Sequence, residues 1–254
     1  MGYSASVYNH ASVRLMKDDT KPTIDISKKH VLIGVVLVLL AVTLNVLNTK
    51  TTGALNWAII FLGIGLVLVI SRSLGLDTKA LGIDRKDIRS GLKYGGVAVL
   101  VVAVVLGLAY LINPTWFIDS RYNRSTAQVL LTMFVFIPFH TVVIEELLFR
   151  GALLGFFMKY LSVRLAMVGS SLLFGLWHIL PSLGIAESSQ TISTTLQTSA
   201  YAQLLSVTGV VLVTTIAGLV LCWLRIRSKS ILAPMLAHWA VNAFALVFAT
   251  LAVR

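Results

Sequence analysis

Charge is what this sequence has least of. Only 12% of its 254 residues are Asp, Glu, Lys or Arg, and just ten of these are acidic, which is too sparse a coat for a water-soluble domain of this length. The single cysteine, Cys222, excludes an internal disulfide and any cysteine-based metal cluster within one chain. A small buried apolar residue is the expectation for it. Internal repeats and glycine-rich phosphate motifs are missing, and the H-E-x-x-H spacing of a helical zinc site does not occur. Nor are there paired halves with broken helices, the signature of a secondary transporter. No secretory cleavage pattern follows the first apolar run, so that run is expected to be retained as a signal anchor.

What the chain has in abundance is apolar surface. It is 57% hydrophobic with a mean hydropathy of +0.89, and apolar runs of roughly 17 to 22 residues recur along it, each long enough at ~1.5 Å per residue to cross a hydrocarbon core of ~30 Å. The expected fold is therefore all-α, a polytopic transmembrane helical bundle with about seven spans. These are placed near 31–47, 55–70, 91–112, 130–156, 163–180, 203–224 and 231–252. Residues 1–30 form a polar tail, 31–126 the N-terminal spans and connectors, and 127–254 the part that carries chemistry.

The formal charge of +11 gains its meaning from position. Sixteen basic residues fall on one side of the predicted spans and four on the other, while Arg150 lies within a span. That asymmetry predicts a cytoplasmic N-terminus and an external C-terminus. The excess charge is then topogenic and faces membrane lipids, and nucleic acid is not an expected partner. Segment 71–93, mixing three Asp with six basic residues, reads as a surface connector able to form a short amphipathic helix along the headgroups. Trp116, Phe117 and Tyr122 suggest an interfacial loop. The Ser-, Thr- and Gln-rich stretch 182–202, with Glu187 its lone acid, reads as a solvated outer loop with the length to cover a site.

The informative residues begin in the fourth span, where I-E-E-L-L-F-R puts Glu145, Glu146 and Arg150 inside the membrane. Each charge costs about 2.5 to 3.5 kcal/mol there, so the three need partners or a function. Glu146 and Arg150 are four apart on one helical face, acid first, the favoured order for an ion pair. Glu145 points about 100° away, with its lone pairs available toward the bundle interior. A buried network that only fixes helix packing is the alternative for the triplet. In the fifth span Phe174 and His178 are four apart, just before Pro181. In the seventh, His238 and Asn242 share a face, a pair that by itself serves equally to glue helices. Together, one Glu, two His and one Asn supply a base, an imidazole partner and donors for a developing oxyanion, the parts needed for water-mediated amide hydrolysis.

In this order and on successive late spans, Glu145-Glu146-x-x-x-Arg150, Phe174-x-x-x-His178 and His238-x-x-x-Asn242 resemble the motif set of the CAAX-protease and bacteriocin-processing (CPBP, or Abi) family. Gly218 and Arg225, followed by an apolar stretch to Pro234 and His238, resemble that family's weaker motif. The similarity covers about residues 127–247. It implies proteolysis within the membrane near the cytoplasmic leaflet, acting on a membrane-associated protein or peptide. By this analogy Glu145 and His178 activate a water, His238 and Asn242 stabilise the oxyanion, and Glu146 with Arg150 is structural. No cofactor is expected, although zinc is the metal that two His and a Glu would suit. The short chain resembles the prokaryotic branch, so a prokaryotic cell membrane is the expected location.

A catalytically silent scaffold or bacteriocin-immunity protein using the same polar cavity is the competing reading, and a proton-coupled transporter a more distant one. Among the remaining polar residues, His140 lies near Pro138 and is expected to satisfy backbone freed by that proline. His10 and His30 lie in or beside the polar tail. Trp177 and Trp239 adjoin the two key histidines, with packing as their default role. One geometric demand accompanies the site: upright helices would leave His178 and His238 roughly 10 Å apart along the membrane normal, which tilt or a deeper fifth span must close.

Overall fold

A computed structural model describes residues 28–119, 124–183, 189 and 200–254, and these fold as a helical bundle. The expected tail up to residue 27, with His10, lies outside the described residues, as do Arg121, Tyr122 and most of the expected outer loop with Glu187. In chain order the helices are α1 (Lys28–Lys50), α2 (Gly53–Ser73), the single turn α3 (Thr78–Leu81), α4 (Ile88–Ile112), α5 (Thr126–Tyr160), α6 (Val163–Trp177), the single turn α7 (Ile179–Ser182), α8 (Ala200–Ser228) and α9 (Leu232–Ala252). Six are long and apolar enough to span a membrane, and α6 is the shorter seventh. Their large side chains face outward in numbers no soluble protein tolerates: on α4 alone Leu100 is 65% and Leu111 78% exposed. Lipid is the solvent that explains this, and the chain is an integral membrane protein.

The centre of the bundle is α5, in which every residue from Ile144 to Phe156 is buried. Around it, α4 runs along α9 and α8 runs along α6, while α1 pairs with α2. In lipid there is no hydrophobic drive between helices, so close backbone approach must supply the attraction. Gly91 and Gly95 of α4 provide it against α9. A Cβ on Gly91 would meet the Ser230 side chain at 2.6 Å, and one on Gly95 would meet Leu236 at 2.6 Å. On the α6–α8 seam a Cβ at Gly218 would lie 3.0 Å from Ser171. Of the Gly63-Ile64-Gly65 signal, Gly63 is such a contact, against Leu44, whereas Gly65 faces open space.

Segment 71–93 is a connector with its charges, among them Arg72, Lys79, Arg85 and Lys86, exposed and its leucines turned toward the bundle. Leu74, Leu76 and Leu81 are all buried, and α3 tucks against α5. Gly75 and Gly82, both with positive φ, let the chain turn back under the bundle, which covers leucines that a surface helix would leave wet. Cations then satisfy the carbonyls left open by these short elements. Lys159 Nζ donates to the carbonyls of Leu74 (2.6 Å) and Gly75 (3.1 Å), and the buried Arg225 Nη2 donates to those of Lys79 and Ala80 (2.9 Å each). Basic side chains therefore gather at one end of the bundle, the Lys159 end. At the opposite end Arg254 Nη2 reaches the Arg124 carbonyl.

The Arg225 clamp lies directly over Gly82, where an added Cβ would meet Nε at 2.2 Å. Gly82→Val is therefore expected to destabilise the protein by at least the ~1–2 kcal/mol cost of a left-handed backbone for a side-chain-bearing residue, with a further loss as the guanidinium is displaced. Thermal unfolding in detergent measures this; an unchanged transition would dismiss the clamp.

Candidate active site

Proline shapes the helices that carry the site. Pro138 has no N–H to give, and α5 widens around it into a π-helical stretch, Thr132–Val142, in which the Val143 amide bonds back five residues to the Pro138 carbonyl. A second π stretch, Leu147–Leu153, follows, so Val143–Glu146 is one ordinary turn between two wide ones. In the first stretch the carbonyl that residue 138 would have reached is that of Met133, and Trp239 Nε1 fills it at 2.8 Å. Pro181 does the same beyond α6. It leaves the Trp177 carbonyl without its helical donor, and Asn45 Nδ2 from α1 donates to it instead at 2.7 Å. Each of these tryptophans is thereby fixed next to a histidine of interest.

Glu145, Glu146 and Arg150 are all buried, at 5%, 0% and 0% exposure. Arg150 Nη1 donates to Glu146 Oε1 at 2.9 Å, the contact that their spacing predicts. The same oxygen also accepts from His238 Nδ1 at 2.7 Å, a partner that reasoning within one helix could not see. A carboxylate only accepts, so this bond places the proton on Nδ1 and leaves Nε2 facing Glu145 Oε2 across 3.9 Å. The other Glu145 oxygen accepts from Trp177 Nε1 at 3.0 Å. The Arg150 guanidinium also stacks over the Phe174 ring, 3.9 Å from its centroid. Two acids thus face one arginine, with the imidazole between them. Glu145 Oε2, Glu146 Oε2 and Arg150 Nε and Nη2 have no hydrogen-bond partner among the described residues.

His178 caps α6, with φ −82° and ψ 0°, and its Nδ1 lies 2.8 Å from the Phe174 carbonyl. The carbonyl can only accept, so Nδ1 is the donor and Nε2 keeps its lone pair. Phe174 stands between the two histidines, its ring centroid 4.7 Å from that of His178 and 5.8 Å from that of His238. The two histidines that upright spans would hold apart along the membrane normal thus both contact this one ring.

His178, His238 and Asn242 line one cavity of about 710 Å³. Its walls are apolar: Val97 and Val101 from α4, Val220 and Leu224 from α8, Ala237 and Val241 from α9, with Lys93 and Tyr94 on α4 toward the Lys159 end. Glu145 is not part of the wall; it lies behind His238 and Trp177. A second cavity of about 570 Å³ lies toward the Arg254 end, and His178 and Asn242 border it as well. Among the described residues no three His, Cys, Asp or Glu side chains converge as a metal site, and the two Nδ1 atoms are already engaged by Glu146 and Phe174. His140 is elsewhere, hydrogen-bonded to Asn56 and edge-on to Trp57. The residue missed by sequence reasoning is Trp177 as a donor to Glu145. Pro181 four residues later announced its free carbonyl, but nothing in the sequence aimed the indole.

Residues 125–244 match the family described as type II CAAX prenyl endopeptidase Rce1-like, a stretch that contains Glu145, Glu146, Arg150, Phe174, His178, His238 and Asn242. No curated protein and no solved structure matches the chain.

Removing one member of the buried ion pair should cost far more than removing both. Arg150→Met is expected to destabilise by about 3–5 kcal/mol because buried Glu146 loses its permanent cation and keeps only the His238 imidazole, and adding Glu146→Gln should recover much of that loss. Unfolding of the two single variants and the double variant in detergent reads the coupling; additive losses would show that the pair is not an energetic unit.

Proposed function

We propose that this chain, whose residues 125–244 carry a domain of the Rce1-like type II CAAX prenyl endopeptidase family, is a membrane-embedded endopeptidase. It hydrolyses a peptide bond of a membrane-associated or lipidated protein or peptide. The observation that carries this reading is the meeting of His178, His238 and Asn242 on the wall of one apolar cavity, directly in front of the buried Glu145–Glu146–Arg150 cluster. The cavity lies between α4 and α8, whose Val97, Val101 and Val220 are about half exposed to the bilayer. An apolar tail can enter sideways from lipid without crossing water, which brings the peptide attached to it to the two histidines.

In this proposal the attacking water sits at His178 Nε2, and its proton passes to the Glu145 carboxylate, which lies behind the cavity wall and is reached past His178. The water oxygen bonds to the scissile carbonyl carbon, and the carbonyl oxygen becomes an oxyanion. Asn242 donates from its amide. His238, held at Nδ1 by Glu146, donates from Nε2 in its imidazolium form. The C–N bond then breaks, the captured proton passes to the leaving amine, and a new carboxylate remains. Glu146 and Arg150 touch no reacting atom; they hold His238. No step uses a metal. The basic side chains gathered at the Lys159 end support a cytoplasmic location for that end, with the C-terminus outside and a prokaryotic cell membrane as the setting.

Purified protein and its Glu145→Gln variant, incubated with membrane-anchored and prenylated C-terminal peptides, test the assignment by mass spectrometry of new termini. The wild type is expected to cleave and the variant to lose about 10²–10⁴-fold, with wild-type cleavage surviving exhaustive chelation. Equal cleavage by both would remove Glu145 from the mechanism, and cleavage abolished by chelation and restored by zinc would replace it with a metal. No cleavage by either would favour the scaffold. Orientation is checked separately with reporters fused after Arg254: external activity is expected, and cytoplasmic activity would invert the topology.

A further inference from the structure

The two cavities share a wall made of His178 and Asn242, but differ in what else lines them. The 710 Å³ cavity is bordered mainly by apolar side chains, with Lys93, Thr214 and the site residues among them, and opens between helices that face lipid. The 570 Å³ cavity is rimmed instead by Trp116, Phe117 and Asp119 beyond α4, by Pro181 and Ser182 of α7, and by Ala249 near the end of α9. Its mouth lies among chain segments that leave the helices at the Arg254 end, where the Asp119 and Ser189 backbones pair. Asp119, Ser182 and Ser189 put polar groups on that rim, at the end of the bundle away from Lys159.

Hydrolysis consumes one water per bond. If the peptidase reading is right, an apolar tail that fills the larger cavity leaves no room for water there. The water must then come from another side of the catalytic groups. The smaller cavity has space for many molecules at about 30 Å³ each, and His178 and Asn242 supply the polar partners at its floor. Glu145 borders neither space, so His178 and Asn242 are the groups that both water and substrate can reach.

We infer that the cavity at the Arg254 end is an aqueous inlet to His178 and Asn242, so that water and the lipid-borne substrate approach the scissile bond from opposite sides. This rests on the peptidase reading for its purpose, but its test involves no proteolysis. His178→Cys and Asn242→Cys are made singly with Cys222→Ala, which removes the one native thiol, itself fully buried. Each variant is placed in sealed vesicles, and a membrane-impermeant cationic thiosulfonate is added to the face that carries Arg254. Both positions should react, because thiolate forms only where water reaches. Adding Ala245→Trp, which lines only the smaller cavity, should slow labelling by about tenfold or more, whereas Ala98→Trp, which lines only the larger, should not. Reaction only from the opposite face, protection by Ala98→Trp rather than Ala245→Trp, or no reaction at either position would overturn the inlet. Two reporter positions ensure that misfolding of one variant does not decide the matter, and absence of peptidase activity leaves the labelling result untouched.

Discussion

A carboxylate with no exposed surface inside a membrane must find its partners within the bundle, and Glu146 finds two on a single oxygen, Arg150 one turn along its own helix and His238 from α9. Isolated, such a charge would cost several kcal/mol or more, so the protein cannot relax around a missing partner. The demand propagates outward. Arg150 is in turn stacked on Phe174, Phe174 separates the two histidines, and His178 leans on the Phe174 carbonyl. Helices α5, α6 and α9 are thus brought to a common level by one buried charge.

The backbone defects around the site obey the same accounting of polar groups. Each proline in these helices strips a donor from the ladder, and lipid offers no water to replace it. Trp239 and Asn45 replace those donors with side chains from other helices. The repair also does positional work: it ties α9 to the π stretch of α5, and α1 to the end of α6, so the two histidine-bearing segments are tethered by bonds that exist only because the ladder was broken.

Much of this was legible in the residues. The apolar runs announced the seven spans because lipid imposes a length on each, and the Glu146–Arg150 spacing announced their contact because a helix turn brings residues four apart together. The family resemblance over the last four spans is matched by the domain found at residues 125–244. What could not be read depends on contacts between distant segments. That Glu146 would also bind His238, that Glu145 would sit behind the cavity wall with Trp177 on one oxygen, and that α3 would fold beneath α5 are facts of packing between residues tens of positions apart. How the two histidines come to line one cavity had the same origin, since where α6 ends is set by Pro181 and its neighbours rather than by hydropathy.

The π stretch of α5 carries a consequence for how this chain can change. A wide turn accommodates an additional residue, so Thr132–Val142 contains more chain than an ordinary helix of the same height would need. Loss of one residue there would let the ladder close into regular α-helix with the helix beyond it kept in register, so Glu145, Glu146 and Arg150 would keep their face toward His238. The spacing between Ser125, which caps α5, and the two glutamates can therefore shorten by one residue in this stretch, whereas in an ordinary helix one lost residue turns everything after it by about 100°.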